Sequence, residues 1–374
     1  MGGTLDPVHS GHVFVAHRAR ELLRLDRVML LPAGDPPHKV PPTPKEDRME
    51  MARIAASGCE GLFACAVEID RGGVTYTVDT LGELTRANPD TEWFYLIGAD
   101  TLDVLDSWRN FGEVAKLCTF AVNGRADEDV DMARVRAFEE MYGAKFVILP
   151  FNGPDISSTD VRARVAEGRD ISGLVPDAVE RYIRDRGLYL CGKSREQILD
   201  ILRSELKPGR FRHTLGVAET AMRLAPRCGV EPRRAELAGL LHDCAKSMPI
   251  EELRAMVREN VPDADAEELA AERVVHAPAG SVVAEKRFGV RDRSILSAIR
   301  KHTLGGAEMS ALDALIYVAD FIEPNRADFP GLSEARALAE KDIYLAARLC
   351  AQLTNEHVRR EGGRSHPRTL AMLK

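Results

Sequence analysis

The sequence has 374 residues, of which 45% are hydrophobic and 29% charged, and its formal net charge at pH 7 is −7. This composition is typical of a globular protein, and the length exceeds that of a single hydrophobic core, so two domains are expected. The sequence contains no apolar run of the roughly 18 residues of a membrane helix, no secretory signal and no basic cluster interleaved with aromatics, which argues against a membrane or a nucleic acid as partner.

Cysteine usage points to a reducing compartment. The seven cysteines are scattered along the chain and form no C-x-x-C pair. This pattern argues against a disulfide framework and a cysteine zinc site, and we expect a cytoplasmic protein.

Short apolar runs alternate with amphipathic helical segments up to about residue 190. Strands are predicted at 28–31, 92–98, 119–122 and 145–149, and helices at 13–23, 45–56 and 78–87. This alternation is typical of a parallel sheet covered by helices. Only helical segments follow, at 196–206, 213–225, 235–245, 251–259, 279–288, 294–301 and 310–321. We therefore predict an α/β domain at 1–192 and an all-α domain at 193–374.

The α/β domain opens on a glycine-rich turn before its first helix, GGTLDPVHSGH at residues 2–12. Gly2 and Gly3 permit a sharp turn that lets backbone N–H groups, including that of Thr4, approach an anion. His9 and His12 stand three residues apart at the start of the helix, whose dipole also favours negative charge. The string therefore predicts a nucleotide site in which amides and imidazoles face the phosphates.

A second anion site is predicted near the end of this domain. Residues 156–162, ISSTDVR, place hydroxyl side chains at a helix start and an arginine one turn later. Ser158, Thr159 and Arg162 are donors of the type that phosphate groups accept from. Two phosphate-facing helix starts in one domain indicate a nucleotide that bridges them, as nucleotidyl transfer requires.

These strings, with PPHK at 36–39, IGAD at 97–100 and Trp108, resemble nicotinate-nucleotide adenylyltransferase of the nucleotidylyltransferase superfamily over nearly all of residues 1–190. The resemblance implies a Rossmann-like fold in which nicotinate mononucleotide attacks ATP, with Mg²⁺ neutralising charge. It implies that His9 and His12 contact the transferring phosphate. It implies triphosphate contacts from Lys39, Ser158, Thr159 and Arg162.

The same resemblance implies the remaining contacts. Asp100, after its strand, would hold the ribose or the metal. The pyridine ring would lie near Thr75, Tyr76, Thr77 and Trp108. Arg125 would lie close by and favour the carboxylate of nicotinate over an amide.

One feature departs from the family pattern. Members begin with a β-strand that leads into the glycine pair, whereas here Met1 directly precedes Gly2. We therefore expect the first strand to be missing. Because losing a buried parallel strand would leave neighbouring backbone groups unpaired, we hypothesise that the natural start lies upstream.

Four ionisable side chains fall on apolar helical segments of the second domain: His213, His242, Asp243 and Asp320. Burying imidazoles and carboxylates is costly unless they bind a cation. Histidine combined with a bridging aspartate suits divalent iron, manganese or zinc. The pattern therefore predicts a metal site.

With HAPAG at 276–280, KHT at 301–303 and DFIEPNR at 320–326, this pattern resembles the HD-domain phosphohydrolases over roughly 195–350, and among them the bacterial symmetrical bis(5'-nucleosyl)-tetraphosphatases. The resemblance implies two divalent metals, iron first and manganese or zinc as alternatives. Asp243 would bridge the metals. One site would be completed by His213, His242 and Asp320, and the other by His276 and His302. Lys246 and Arg326 would contact phosphate.

The sequence thus predicts a bifunctional enzyme that makes nicotinate adenine dinucleotide and hydrolyses diadenosine tetraphosphate to two ADP. Two alternatives stay open. The first domain could serve only as a nucleotide-binding or assembly module, and the HD domain could be a nucleotidase or a cyclic-nucleotide phosphodiesterase. Whether the chain forms a homo-oligomer is also open.

Overall fold

The computed structural model describes residues 1–37, 41, 43–124, 130–151 and 153–374. The chain forms two compact units. The first comprises Met1–Val165 and Asp170–Ile183, and the second comprises Ala166–Arg169 and Arg184–Lys374. This division falls ahead of the boundary predicted at 192/193.

The first unit is an α/β fold in which every paired strand of the described residues is parallel to its neighbour. Two three-stranded sheets have the strand orders β1-β2-β3 and β4-β5-β6. The strands are β1 (Gly2–Gly3), β2 (Val28–Pro32), β3 (Leu62–Ala64), β4 (Phe94–Gly98), β5 (Thr119–Asn123) and β6 (Lys145–Leu149). The helices are α1 (Ser10–Leu23), α2 (Lys45–Ser57), α3 (Val67–Arg71), α4 (Thr77–Ala87), α5 (Phe111–Leu117), α6 (Met132–Tyr142), α7 (Ser158–Ala166) and α8 (Asp177–Arg186). A 3₁₀ helix, Ala99–Ser107, follows β4.

The predicted parallel α/β class is confirmed, and burial explains why the longer strands were recognisable. Phe120, Ala121 and Val122 on β5 are fully buried. Strands covered on both faces form continuous apolar runs of this kind. The two shortest strands, β1 and β3, are too short to produce a periodic pattern, and the sequence did not predict them.

The first strand, which was expected to be missing, is present as the pair Gly2–Gly3. The N–H of Leu31 donates to the Met1 carbonyl at 3.0 Å, and the N–H of Ala33 donates to the Gly3 carbonyl at 2.8 Å. The nitrogen of Met1 donates to the Met29 carbonyl at 3.0 Å. A strand is therefore present at this position, where it pairs with β2.

A buried arginine on α2 joins the loops that follow β1 and β2. Arg48 is 1% exposed, and its guanidinium donates to the carbonyls of Thr4 (3.0 Å), Ala33 (2.5 Å), Gly34 (2.9 Å) and Thr43 (3.3 Å). One side chain thus satisfies several carbonyls of the glycine-rich turn and its neighbour. The sequence did not predict this role, because a charged residue on an amphipathic helix is usually solvated.

The second unit, all of whose residues the structure describes, contains helices and no strand, which confirms the predicted all-α class. Its helices are α9 (Arg195–Glu205), α10 (Pro208–Leu224), α11 (Pro232–Leu241), α12 (Ile250–Asn260), α13 (Ala266–Ala270), α14 (His276–Phe288), α15 (Arg293–Lys301), α16 (Ala311–Ile322), α17 (Leu332–Ala339), α18 (Ile343–Arg360) and α19 (Pro367–Ala371). A short 3₁₀ helix, Ala225–Cys228, follows α10. Among the described residues of the whole chain, no helix has the length and apolarity needed to cross a bilayer.

Small residues bring the helices of the second unit close together. A Cβ atom at Gly239 on α11 would lie only 2.7 Å from the Cα of Ala218 on α10. Glycine at this position lets the two backbones approach each other. This approach positions His213, on α10, against His242, which directly follows α11.

We expect Arg48→Met to lower the free energy of unfolding of the first unit by on the order of 3 kcal/mol, because it leaves several buried carbonyls without a donor. Both tryptophans of the chain, Trp93 and Trp108, lie in this unit. Urea unfolding followed by tryptophan fluorescence therefore measures the effect. Arg53→Met is the matched control, since Arg53 is an exposed residue of the same helix. Equal losses of unfolding free energy in Arg48→Met and Arg53→Met would contradict the role of the Arg48 hydrogen bonds.

Two candidate functional sites

A cavity of about 460 Å³ opens in the first unit beyond the carboxyl ends of three strands. Gly3 of β1, Gly98 of β4 and Asn123 of β5 line it. Open parallel sheets bind their ligands at this edge. The cavity therefore lies where a Rossmann-like fold places a nucleotide.

Most residues predicted to bind the two nucleotides lie around this single cavity, although they are far apart in the chain. Gly2 and Gly3 lie close to β4, because a Cβ atom on Gly2 would meet the hydroxyl of Tyr95 at 2.5 Å. The predicted residues that line the cavity are Gly2, Gly3, His9, His12, Thr75, Tyr76, Thr77 and Trp108.

His9 and His12 form a reciprocal cap at the start of α1. The N–H of His12 donates to Nδ1 of His9 at 3.4 Å, and the N–H of His9 donates to Nδ1 of His12 at 3.2 Å. The ring centroids are 3.6 Å apart. Because each Nδ1 accepts, the hydrogen of each neutral ring is on Nε2. Two N–H donors are thus available at the helix start.

Burial keeps both imidazoles neutral. It lowers the pKa of His9 to about 4. Burial and the neighbouring His9 hold the pKa of His12 well below its ordinary value. Near neutral pH the pair therefore acts through hydrogen bonds and not through a fixed positive charge.

The start of α7 contacts the glycine-rich turn, as two adjacent anion sites would require. The hydroxyl of Ser158 donates to the Pro7 carbonyl at 2.9 Å. The guanidinium of Arg162 donates to the Asp6 carbonyl at 2.5 Å and to Oγ1 of Thr159 at 3.1 Å. These three side chains do not line the cavity, although the nearby Ile156 does.

The other predicted residues of this site differ in their placement. The carbonyl of Thr4 accepts a hydrogen bond from the guanidinium of Arg48. Asp100 opens the 3₁₀ helix and does not line the cavity, whereas its neighbour Thr101 does. Lys39 and Arg125 lie outside the described residues.

The structure adds a cation that the sequence did not predict. Arg109 lines the cavity beside Trp108, and its guanidinium carbon lies 4.5 Å from the centre of the Tyr76 ring. Cations bind favourably over aromatic faces at this distance. Its position next to Trp108 in the sequence was the one available signal.

In the second unit, all six predicted metal ligands converge around Asp243. Two groups of these residues bring their ligand atoms together, and within each group the atoms lie within 4.8 Å of one another. The first group is His213, His242 and Asp320, and the second is His242, Asp243 and His302. Nε2 of His276 lies 3.0 Å from Oδ1 of Asp243 and 3.2 Å from Nε2 of His302.

Asp243 presents one oxygen to each side of the cluster. Its Oδ2 faces Nε2 of His242 at 3.5 Å and Nε2 of His213 at 4.0 Å. Its Oδ1 faces Nε2 of His276 at 3.0 Å and Nε2 of His302 at 3.6 Å. A carboxylate with imidazoles on both sides has the arrangement of a bridging ligand.

Backbone carbonyls aim two of the imidazoles into the cluster. Nδ1 of His242 lies 2.7 Å from the Gly239 carbonyl, and Nδ1 of His302 lies 2.6 Å from the Ile299 carbonyl. These contacts place the hydrogen on Nδ1 and leave the Nε2 lone pair free. Within the described part of the chain, the buried Nε2 of His242 has no hydrogen-bond partner. A buried donor set of this kind fits a divalent cation.

The charges inside this cluster depend on one another. Burial raises the pKa of Asp243, but His242, His276 and His302 outweigh it and hold that pKa well below its usual range. Burial lowers the pKa of His276 to about 4. For His242, the adjacent Asp243 carboxylate outweighs burial and raises the pKa. The aspartate thus stays ionised, as a metal ligand must be.

Three cationic side chains contact the cluster. Lys246 places its Nζ 2.9 Å from Nε2 of His276. Arg326 donates to Oδ1 of Asp320 at 2.8 Å. Arg210, which the sequence analysis missed, donates to Oδ2 of Asp243 at 2.9 Å. Its position one turn before His213 on α10 was a usable signal, because side chains three residues apart share a helix face.

Comparison with known proteins relates each unit to a family. Residues 1–164 match the cytidylyltransferase-like family, and residues 210–325 match the HD domain family. A probable nicotinate-nucleotide adenylyltransferase from Synechococcus sp. (strain JA-3-3Ab) is 40% identical over 193 residues, which cover 51% of this chain and 93% of the relative. A probable nicotinate-nucleotide adenylyltransferase/Ap4A hydrolase from Mycoplasma genitalium is 27% identical over 327 residues and 87% of each chain.

A solved structure from Clostridium acetobutylicum is described as a predicted HD superfamily hydrolase involved in NAD metabolism. It is 36% identical, has a TM-score of 0.46, and covers 48% of this chain and 94% of its own. Since the Mycoplasma alignment includes 87% of this chain, it extends across both units. The chain belongs to the nicotinate-nucleotide adenylyltransferase family through its first unit and carries an HD domain in its second.

Proposed function

We propose that the chain is a bifunctional enzyme of adenine-nucleotide metabolism. The first unit transfers AMP from ATP to nicotinate mononucleotide, which gives nicotinate adenine dinucleotide and pyrophosphate. The second hydrolyses diadenosine tetraphosphate to two ADP. The observation that supports the transfer most directly is the single cavity lined by both the His9–His12 pair and Trp108. The seven free thiols fit a cytoplasmic location.

In the transfer, a phosphate oxygen of nicotinate mononucleotide attacks the α-phosphorus of ATP. The new P–O bond forms as the bond from that phosphorus to pyrophosphate breaks, and no covalent nucleophile is needed. Mg²⁺ bound with ATP would neutralise charge on the leaving group. Catalysis then consists of positioning and of hydrogen bonds to the transferring phosphate. The neutral Nε2–H groups of His9 and His12 supply two such bonds.

We assign the remaining contacts by their place around this reaction. The glycine-rich turn with Gly2, Gly3 and Thr4 holds ATP, and Asp100 holds its ribose or the metal. The triphosphate is held by Lys39, Ser158, Thr159 and Arg162. The pyridine nucleotide lies against Thr75, Tyr76, Thr77 and Trp108, with Arg125 close to its carboxylate. Arg109, stacked on Tyr76, is a second cation that faces this part of the cavity.

In the second unit, we propose two divalent metals, iron first and manganese or zinc as alternatives. His213, His242 and Asp320 would hold one metal, His276 and His302 the other, and Asp243 both. Such metals polarise phosphoryl oxygens and make water a better nucleophile. Lys246 and Arg326 contact the polyphosphate. Water adds to one phosphorus of the central anhydride, and the bond to the bridging oxygen breaks, so that two ADP leave.

Replacing His12 with Ala should lower kcat for dinucleotide formation by about 10²–10³-fold, since one hydrogen bond to the developing charge is lost. Product chromatography with ATP, Mg²⁺ and nicotinate mononucleotide measures the effect. His17→Ala is the control, because His17 lies on the same helix and does not line the cavity. Full activity in His12→Ala would show that the His12 imidazole takes no part in the proposed chemistry.

Nicotinate mononucleotide should be the preferred substrate over nicotinamide mononucleotide, and Arg109→Gln should reduce this preference about tenfold through the loss of one exposed charge contact. The measurement is the ratio of kcat/KM values for the two substrates. Arg86→Gln removes an exposed arginine of the same unit that does not line the cavity. An unchanged ratio in Arg109→Gln would leave the preference to other residues such as Arg125.

Asp243→Asn should lower hydrolysis of diadenosine tetraphosphate by about a thousandfold and leave adenylyl transfer intact, because only the second unit loses its shared ligand. Chromatography of ADP and of the dinucleotide from the same preparation gives both rates. His357→Ala, an exposed histidine on α18, is the control. Loss of both activities in a folded Asp243→Asn chain would contradict two separate sites. If the unaltered chain hydrolysed a nucleoside monophosphate or a cyclic nucleotide and not diadenosine tetraphosphate, the alternative hydrolase would be identified.

A further inference from the structure

A buried carboxylate outside the predicted ligand set contacts one of the proposed metal ligands. Glu323 directly follows α16 and is 1% exposed. Its Oε1 lies 3.1 Å from Nδ1 of His213. Nε2, on the opposite side of the same ring, lies 3.0 Å from Oδ1 of Asp320. The glutamate therefore contacts the ring nitrogen that points away from the cluster.

Several donors hold this carboxylate in place. Oε2 accepts from the backbone N–H of Asn325 at 2.7 Å and from its Nδ2 at 3.0 Å. Arg336 donates to the carbonyls of Ile322 at 3.0 Å and of Glu323 at 2.9 Å. Both the backbone and the side chain of Glu323 are thus fixed before any ligand binds.

A glycine on the facing helix makes the space that the carboxylate occupies. Gly216 lies one turn after His213 on α10. A Cβ atom there would lie 2.5 Å from Oε2 of Glu323 and 2.9 Å from Nδ2 of Asn325. Any larger residue at position 216 would displace the carboxylate from His213.

The contact places a hydrogen on Nδ1 of His213, because an ionised carboxylate only accepts hydrogen bonds. Nε2 faces the Asp320 carboxylate at 3.0 Å, and a metal held by His213 and Asp320 would use the Nε2 lone pair. His242 and His302 are oriented by neutral backbone carbonyls instead. Among these three imidazoles, His213 alone has an anionic partner at Nδ1. A carboxylate in this position also makes the imidazole a more basic ligand.

We propose that Glu323 is a positioning residue that fixes the ring orientation and the tautomer of His213 for the metal held with His242 and Asp320. This inference rests on the proposed function of the second unit, since it assumes that a metal binds there. Gly216 and Asn325 contribute to the same positioning, because they define where the carboxylate of Glu323 lies.

Glu323→Gln tests the proposal without changing the shape of the side chain. The donors of Asn325 keep the amide oxygen, so the new NH₂ group faces Nδ1 of His213. The hydrogen of the ring then moves to Nε2, where it blocks the lone pair. We expect the affinity of the full-length chain for Co²⁺ at this group to fall about 10–100-fold. Equilibrium dialysis with metal analysis and the visible absorption of bound Co²⁺ measure the loss.

A second readout needs no metal. In the full-length chain with ¹⁵N-labelled histidine, the ring nitrogen shifts of His213 report its tautomer. We expect Nδ1 of His213 to carry a hydrogen in the unaltered chain and to lose it in Glu323→Gln. Gly216→Ala is a second route to the same effect, since it pushes the carboxylate away, and it too should weaken Co²⁺ binding.

The matched control is Glu268→Gln, which changes a carboxylate of the same unit that is also 1% exposed but pairs with Arg368 at 3.2 Å. It should leave Co²⁺ affinity and the His213 tautomer unchanged. Unaltered Co²⁺ affinity and an unaltered tautomer in Glu323→Gln would overturn the inference. If the unaltered chain itself bound no Co²⁺, the proposed metal site would fail, while the tautomer shifts would still decide the role of Glu323.

Discussion

The second unit depends on keeping a negative charge inside a helical core. Asp243 is 2% exposed, and removing a carboxylate from water costs several kcal/mol. The surrounding imidazoles and the guanidinium of Arg210 offset this cost. Apolar side chains of the same volume would stabilise the fold at least as well. The cluster is therefore better explained by chemistry at this position than by a contribution to stability.

The first unit handles buried polar groups in a different way. Its two cavity histidines are neutral and bind one another's backbone, so they add hydrogen-bond donors without adding charge. The buried charge on Arg48 is surrounded by carbonyls and lies in a supporting position behind the turn. The first unit thus presents neutral hydrogen-bond donors to its cavity, whereas the second gathers residues that could hold a metal ion.

The sequence predicted what depends on local pattern. The glycine pair, the two histidines and the helix start lie within a dozen residues, so their meeting required no knowledge of the tertiary fold. Four of the six proposed ligands of the second unit were predicted because ionisable residues interrupt apolar helices, and His276 and His302 were added by the resemblance to the HD-domain phosphohydrolases. The division of that set into two sides of Asp243 came from the resemblance and not from the residue pattern, since the two sides form only when α14 and α15 pack against Asp243.

The sequence analysis missed several functional residues for one physical reason. Arg48, Arg109, Arg210 and Glu323 are single charged residues, and a charged residue next to polar neighbours normally indicates solvated surface. Each of them has at least one partner far away in the sequence, as with Arg48 and the Ala33 carbonyl or Glu323 and His213. Lys39 and Arg125 stay predictions, because they lie outside the described residues.

The reciprocal cap at the start of α1 also limits how this motif can vary. Each histidine holds the other's backbone N–H, so losing one ring leaves an amide of the first turn without its partner as well as removing a donor from the cavity. The two positions are also coupled by the contact between their rings, whose centroids are 3.6 Å apart. Either single change removes this contact, so changing both should cost less than the sum of the single changes, and drift at one position should constrain what the other tolerates.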